Sequence, residues 1–288
     1  MFWNKKDIDN TPLPIRSSTM EVKDLFYSIR LLWRHKWLWE RSNELDETIV
    51  KIIRPVDGGK RLFARLIKKF KYVSRNESKT SISLIAKQIK DVWKCNKNNT
   101  LIMAVKLKDN VHSDGSSKMA YDLRTALQDW DNRYVIDPFN EKDKHLASGF
   151  DVVLCDDFIG SGSTVDNRIK ALKDVMPDSA KIYVVTLAAM KESYTNYFSN
   201  YHNVEIFSPL WLEKGINDGT SITIMLNMEK RLAPKYKNEK LKNCTLGYRK
   251  AGGLYYNEDY RIPNNVYPIF WWGLLVNGQP FKSLFERP

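Results

Sequence analysis

Asp151-Val-Val-Leu-Cys-Asp-Asp-Phe-Ile-Gly-Ser-Gly-Ser-Thr164 sets an apolar run, two acids and a small-residue loop in direct succession. Its apolar run Val152–Cys155 is short, begins with two β-branched residues and is bounded by polar ones, which predicts a buried strand. From Val165 onward the apolar residues Val165, Ile169, Leu172 and Met176 recur at helical spacing until Pro177 ends the pattern. Phe158–Thr164 is then a loop joining the carboxyl end of a strand to the amino end of a helix. Free N–H groups and the helix dipole at such a junction favour an anion. Gly160 and Gly162 permit left-handed backbone and close approach of a ligand, and Ser163 with Asp166 fits a capping box. Asp156 and Asp157 leave the strand beside that anion, where carboxylates accept hydrogen bonds from vicinal ribose hydroxyls. The expectation is a pocket for a sugar bearing a phosphate. A strand, an acid and a capped helix also occur together in α/β proteins that hold no ligand. Here the paired acids, the fixed gap and Ser161-Gly-Ser-Thr164 coincide.

Outward from this stretch the chain alternates. Strands are expected at Leu101–Leu107, Tyr134–Asp137, Lys181–Ala189 and Val204–Phe207, with helices at Ser117–Trp130 and Glu192–Tyr201. Such alternation implies an α/β fold, a parallel sheet with flanking helices, and a ligand at the carboxyl edge of the strands. The loops Lys108–Lys118 and Pro138–Ser148 end at that same edge. Toward the N-terminus, residues 1–18 read as an irregular arm. Residues 20–54 read as helix, with Phe26, Ile29, Trp33 and Trp37 on one stripe; core packing is favoured for the tryptophans over base stacking. Pro55 and Gly58-Gly59 break the chain before helices at Lys60–Val73 and Thr80–Lys94. The organisation expected is a basic helical segment over 1–99 followed by an α/β domain over 100–288.

The chain of 288 residues carries a formal net charge of +12, which implies attraction to anions and polyanions. Between Lys51 and Arg75 stand nine Lys or Arg and one acid, Asp57. There Leu62, Phe63, Leu66, Ile67 and Phe70 recur at helical spacing among Lys60, Arg61, Arg65, Lys68 and Lys69. This basic amphipathic helix is either a solvated face or a surface for a nucleic-acid backbone. Cys95, Cys155 and Cys244 are far apart, against a disulfide framework or zinc site and in keeping with a reducing cytoplasmic setting. The four histidines are equally scattered. No apolar leader is read at the N-terminus, and the longest apolar run, Tyr267–Val276, is too short to span a bilayer, so no membrane partner is expected.

The strand, the paired acids and the small-residue loop ending in Ser161-Gly-Ser-Thr164 resemble the phosphoribosyl-diphosphate signature of the type I phosphoribosyltransferases. The resemblance implies that fold, with Asp156 and Asp157 on the ribose hydroxyls and Ser161, Gly162, Ser163 and Thr164, with Gly160, around the 5′-phosphate. It implies Mg²⁺ as cofactor, held with Asp156 and Asp157. By the same likeness Gly115, Ser116, Ser117 and Lys118 fall where the diphosphate is received. Lys142, Lys144 and His145 fall on the loop that neutralises the leaving group. The C-terminal Pro263-Asn-Asn265 and the Trp-rich end resemble phosphoribosyltransferase-like domains of bacterial conflict and anti-phage operons, some encoded beside retron reverse transcriptases. The two resemblances together span Leu101–Trp272. They imply a hood over the base, with Phe270, Trp271 or Trp272 as stacking candidates, or else as a core-sealing strand. Asn264 and Asn265 are candidates to read a base edge or to cap the turn.

Two functions follow as expectations. One is an enzyme-like effector of an anti-phage system that binds phosphoribosyl diphosphate or a nucleotide and acts in ribosyl transfer or glycosidic cleavage. The other is a non-catalytic nucleotide sensor that holds nucleic acid, or a protein such as a reverse transcriptase, through its basic helices.

Overall fold

The computed structural model describes residues 20–105, 115–128, 130, 135–136 and 149–287. The expected arm 1–18, most of the loop 108–118 and the loop carrying Lys142, Lys144 and His145 lie outside the described residues. The chain forms two compact units. One is Met1–Lys69, Asp218–Leu241 and Ile269–Glu286; the other is Phe70–Asn217, Lys242–Pro268 and Arg287–Pro288. The expected division at residue 99 falls within the second of these units. Two later stretches return to the helical unit, and α3 buries part of its apolar face against the helix Gly219–Glu229 that one of them supplies.

In the first unit the expected single helix over 20–54 is interrupted. Helix α1 (Val22–Arg34) ends at His35, a 3₁₀ stretch covers Lys36–Arg41, and α2 (Ser42–Thr48) runs on as a π-helical turn to Ile53. Helix α3 (Gly59–Lys69) buries Leu62, Phe63, Leu66 and Ile67, the face its spacing predicted. It packs on the helix Gly219–Glu229. The stripe expected on the first helix is not core: Phe26 and Trp33 are exposed, and α1 buries Asp24, Ser28, Leu31 and Leu32 instead. Trp37 stacks on Phe285 at 5.8 Å between centroids.

Among the described residues of the second unit six parallel strands make one sheet. They are β2 (Thr100–Ala104), β3 (Val135–Ile136), β4 (Asp151–Ile159), β5 (Ile182–Met190), β6 (Val204–Phe207) and β7 (Trp211–Leu212), following the short β1 (Lys71–Val73). The order is β3-β2-β4-β5-β6, with β7 also on β5. One face is covered by α4 (Arg75–Lys87) and α5 (Gly115–Ala126), which bury Ile82, Ile85, Met119 and Leu123 over Val153 and Cys155. The other is covered by α6 (Ser163–Lys173), which buries Val165, Ile169 and Leu172 over Val152 and Leu154. The α/β class with a parallel sheet between helices stands as expected. Two details differ. Lys71–Val73 is not the end of a helix but a strand paired in parallel with Tyr255–Asn257. Strand β4 runs past both acids to Ile159, because β5 is long enough to ladder Phe158 and Ile159 against Ala188 and Ala189. Among the described residues no helix is long and apolar enough to cross a membrane.

Candidate functional site

Where β4 gives way to α6 a cavity of about 300 Å³ opens, lined by Asp156, Phe158, the loop Ile159–Gly162, Thr164, Val165, Tyr248, Asn264 and Asn265. The turn itself is only Gly160–Gly162, since β4 ends at Ile159 and α6 begins at Ser163. Gly162 is the N-cap, left-handed at φ 87°, with no side-chain cap. The expected capping box is thus corrected: the glycine turns the chain, and Ser163 is the first helical residue, its hydroxyl 3.1 Å from that of Ser161. The first N–H groups of α6 have no intrahelical acceptor, and no side chain competes for them at the N-cap. A Cβ on Gly162 would stand 3.1 Å from both Ser193 and Tyr197. Gly160 has another reason to be small: the carboxamide of Asn265 occupies the place of its Cβ.

Asp166, expected as the capping partner, turns inward. It pairs with Lys170 at 2.8 Å and accepts the Tyr201 hydroxyl at 2.6 Å. Burial, then this bond, pushes the Tyr201 phenol up to about 12. Arg168 donates Nε and Nη2 to the Val105 carbonyl at 3.1 and 3.0 Å, tying α6 to the end of β2.

The paired acids part company. Successive strand residues point to opposite faces, so Asp156 lines the cavity while the carboxylate of Asp157 lies against Gly115, at the start of α5. An acid there suits the helix dipole. Asp157 also contributes to raising the Tyr255 phenol, whose burial is the larger cause. Lys118, expected at the diphosphate, does not line the cavity. It pairs with Asp122 at 2.6 Å and lies over the Tyr260 ring, whose hydroxyl bonds the same carboxylate at 2.7 Å. Among the described residues no lysine, arginine or histidine lines the cavity.

Its far wall is the segment Leu246–Gly253 with Pro263–Val266. The Tyr248 N–H donates to the Asn264 carbonyl (2.8 Å), the Asn265 amide to the Tyr248 carbonyl (3.2 Å), and the Gly253 N–H to the Asn265 carbonyl (2.9 Å). Asn265 therefore holds the turn as well as lining the cavity. Leu246, Arg249 and Lys250 are left-handed at φ 59°, 53° and 58°, each costing about 1 kcal/mol for a residue with a Cβ. Such strain gathers where a wall must keep one shape. The Arg249 guanidinium is held above its ordinary range, chiefly by hydrogen bonding to Tyr248. Phe158 stacks on Tyr255 at 5.1 Å, fixing the strand end beneath this wall. Sequence reading missed Tyr248 as a lining residue; its only signal was its place after Gly247, ahead of Pro263-Asn-Asn265.

The other candidates lie in the first unit. Trp271 and Trp272 are fully buried, their rings 5.2 Å apart, with Tyr236 against Trp272. Phe270 packs on Phe63. None lines the cavity; Phe270 ends a 3₁₀ turn and the two tryptophans follow it, with no sealing strand at this point. Of the basic helix, Lys60 pairs with Asp24, and Arg65 pairs with Asp218 and bonds Ser221. Arg61, Lys68 and Lys69 are exposed.

A protein of unassigned function from Neisseria gonorrhoeae solved with ppGpp matches at 17% identity and TM-score 0.36, over 50% of this chain and 85% of its own. A hypoxanthine-guanine-xanthine phosphoribosyltransferase matches at 14% and 0.36, over 60% and 90%. The purine phosphoribosyltransferase of Pyrococcus horikoshii matches at 15% and 0.32, over 49% and 90%. No curated protein matches the chain. The PRTase-CE family model matches residues 54–287, a span taking in the whole cavity. The chain belongs to the PRTase-CE family, a phosphoribosyltransferase-like family.

Proposed function

We propose that the cavity at Asp156–Thr164 binds a ribose carrying a 5′-phosphate, as phosphoribosyl diphosphate or a 5′-nucleotide, and that the chain is an effector of a bacterial anti-phage defence system. The observation that carries the reading is the left-handed Gly162 opening α6 beside Asp156 in one cavity. The phosphate would meet free N–H groups at a helix N-terminus, with Ser161, Ser163 and Thr164 adding hydroxyls. Asp156 would accept from the ribose. The reaction is ribosyl transfer or glycosidic cleavage. The bond from C1 to the leaving group breaks, the leaving group departs with the electron pair, and an acceptor or water bonds C1 and gives up its proton.

Mg²⁺ fits the donor set, because it takes one or two carboxylates and completes its shell with water and ligand phosphates. Asp156 would hold it from the protein side; Asp157, expected as the second acid, has its carboxylate against Gly115 instead. Among the described residues no three ligating side chains gather into a protein cage. The chemistry such an ion would supply is neutralisation of charge on the leaving diphosphate. Lys142 and Lys144, outside the described residues, are proposed to add charge to the same group. A second reading, a nucleotide sensor that holds nucleic acid or a reverse transcriptase, is favoured by the exposed Arg61, Lys68 and Lys69, which a small substrate does not need.

Isothermal titration with phosphoribosyl diphosphate and Mg²⁺ tests the site. Asp156→Asn should weaken binding by roughly tenfold to a hundredfold, as loss of a charged hydrogen bond does. Asp157→Asn should act mainly on stability through α5. Wild-type affinity in the Asp156→Asn protein would sink the assignment, and binding without diphosphate release would select the sensor.

A further inference from the structure

Helix α1 is built inside out. Its packed side carries Asp24, Ser28, Leu31 and Leu32, while Val22, Phe26 and Trp33 are 68%, 67% and 77% exposed, with Ile29 half-buried between them. Turning the polar side inward costs desolvation unless every charge is met. That cost is offset by specific partners: Asp24 pairs with Arg54 at 3.2 Å and Lys60 at 2.5 Å, and Ser28 donates to Asp46 at 2.6 Å. These bonds fix the rotation of the helix, so the apolar stripe faces outward by construction.

Two features say what the stripe fits. Val22, Phe26, Ile29 and Trp33 recur at intervals of four, three and four, the seam by which one helix packs on another, over a length of about 16 Å. Val22 and Ile29 have no ring on which a base could stack, which disfavours single-stranded nucleic acid. About a quarter turn away, Lys23, Arg30 and Arg34 form an exposed row, and none pairs with an acid among the described residues. A second copy docked antiparallel would set two such rows against each other. We propose that α1 is a docking strip for an amphipathic helix of a protein partner, one that places apolar residues on Val22, Phe26, Ile29 and Trp33 and acidic residues along Lys23, Arg30 and Arg34. The strip is independent of the nucleotide reading.

The test uses the full chain in its native host, with Trp33 replaced by the photo-cross-linker p-benzoylphenylalanine and the linked peptide sequenced by mass spectrometry. The expected product is a single protein segment with apolar residues at heptad spacing and acids on one flank. The combined change Lys23→Glu, Arg30→Glu, Arg34→Glu should cut the product roughly tenfold or more, and exchanging the partner's acids for lysine should restore it. All three residues are exposed, so the melting temperature should hold and a lost product cannot be put down to unfolding. Linkage to a second copy, to nucleic acid or to lipid, an absence of linkage, or a yield indifferent to charge reversal would each overturn the proposal.

Discussion

At the scale of single residues, the site depends on two glycines that differ in kind. Gly162 is required for its φ of 87°, Gly160 for the room it leaves Asn265. Gly162→Ala should lower stability by about 1 kcal/mol or more through left-handed strain and should weaken phosphate binding, because the loop's N–H groups would re-aim. Gly160→Ala should displace the Asn265 amide, which both holds the turn and lines the cavity, and so lower stability and ligand affinity together. Thermal melts with parallel titrations against phosphoribosyl diphosphate check both, and a Gly162→Ala protein equal to wild type in both measurements would remove the turn from the site. Left-handed backbone was expected at both glycines, and Gly162 adopts it. That Gly160 leaves room for a neighbour more than a hundred residues away is not written in the local pattern.

At the scale of elements, periodicity located helices and strands well and judged their partners poorly. The apolar faces of α3 and α6 are buried as their spacing requires. The stripe on α1 has equally good spacing and faces solvent, because the buried pairs of Asp24 and Ser28 set the helix rotation. Likewise the basic residues of α3 divide by tertiary partners: Arg65 is tied to Asp218 and Ser221, while Arg61 and Lys68 are exposed on the surface. Replacing Arg61 and Lys68 by Gln should lower the slope of nucleic-acid affinity against salt by about two phosphate contacts without changing the melting temperature. Arg65→Gln should instead destabilise the unit and leave the slope alone. Fluorescence anisotropy across a salt series with a labelled oligonucleotide separates the two. A slope indifferent to Arg61 and Lys68 would make α3 a solvated face. The start of α4 was missed: apolar periodicity put it at Thr80, whereas the helix begins at Arg75 behind the capping box of Ser74 and Glu77, a signal of ordinary sequence spacing.

At the scale of the whole molecule, the chain leaves the helical unit after Lys69 and re-enters it twice. Residues 1–99 expressed alone should therefore be largely unfolded, since they lack Asp218–Leu241 and the buried Phe270, Trp271, Trp272 and Phe285. Circular dichroism and amide dispersion in the NMR spectrum of that fragment check this; a cooperative unfolding transition would contradict the division. The aromatic run at the C-terminus belongs to the same account. Read locally it offered rings to a base, yet Phe270 lies on Phe63 and Trp272 on Tyr236 in the core of the first unit.

Legible in the local pattern were the α/β class, the succession β2, β4, β5 and β6 with helices between them, and the glycine turn between β4 and α6. These rest on interactions between residues a few positions apart: side-chain alternation, helical spacing, and the backbone freedom of glycine. Contacts between distant segments set Asp156 toward the cavity and Asp157 toward α5, and give Lys118 to Asp122. Such contacts also bring Tyr248, Asn264 and Asn265 to close the wall, and turn the apolar stripe of α1 outward. Each of these depends on what another part of the chain brings to the same place. Burial and pairing energies act between segments whose meeting no local spacing encodes.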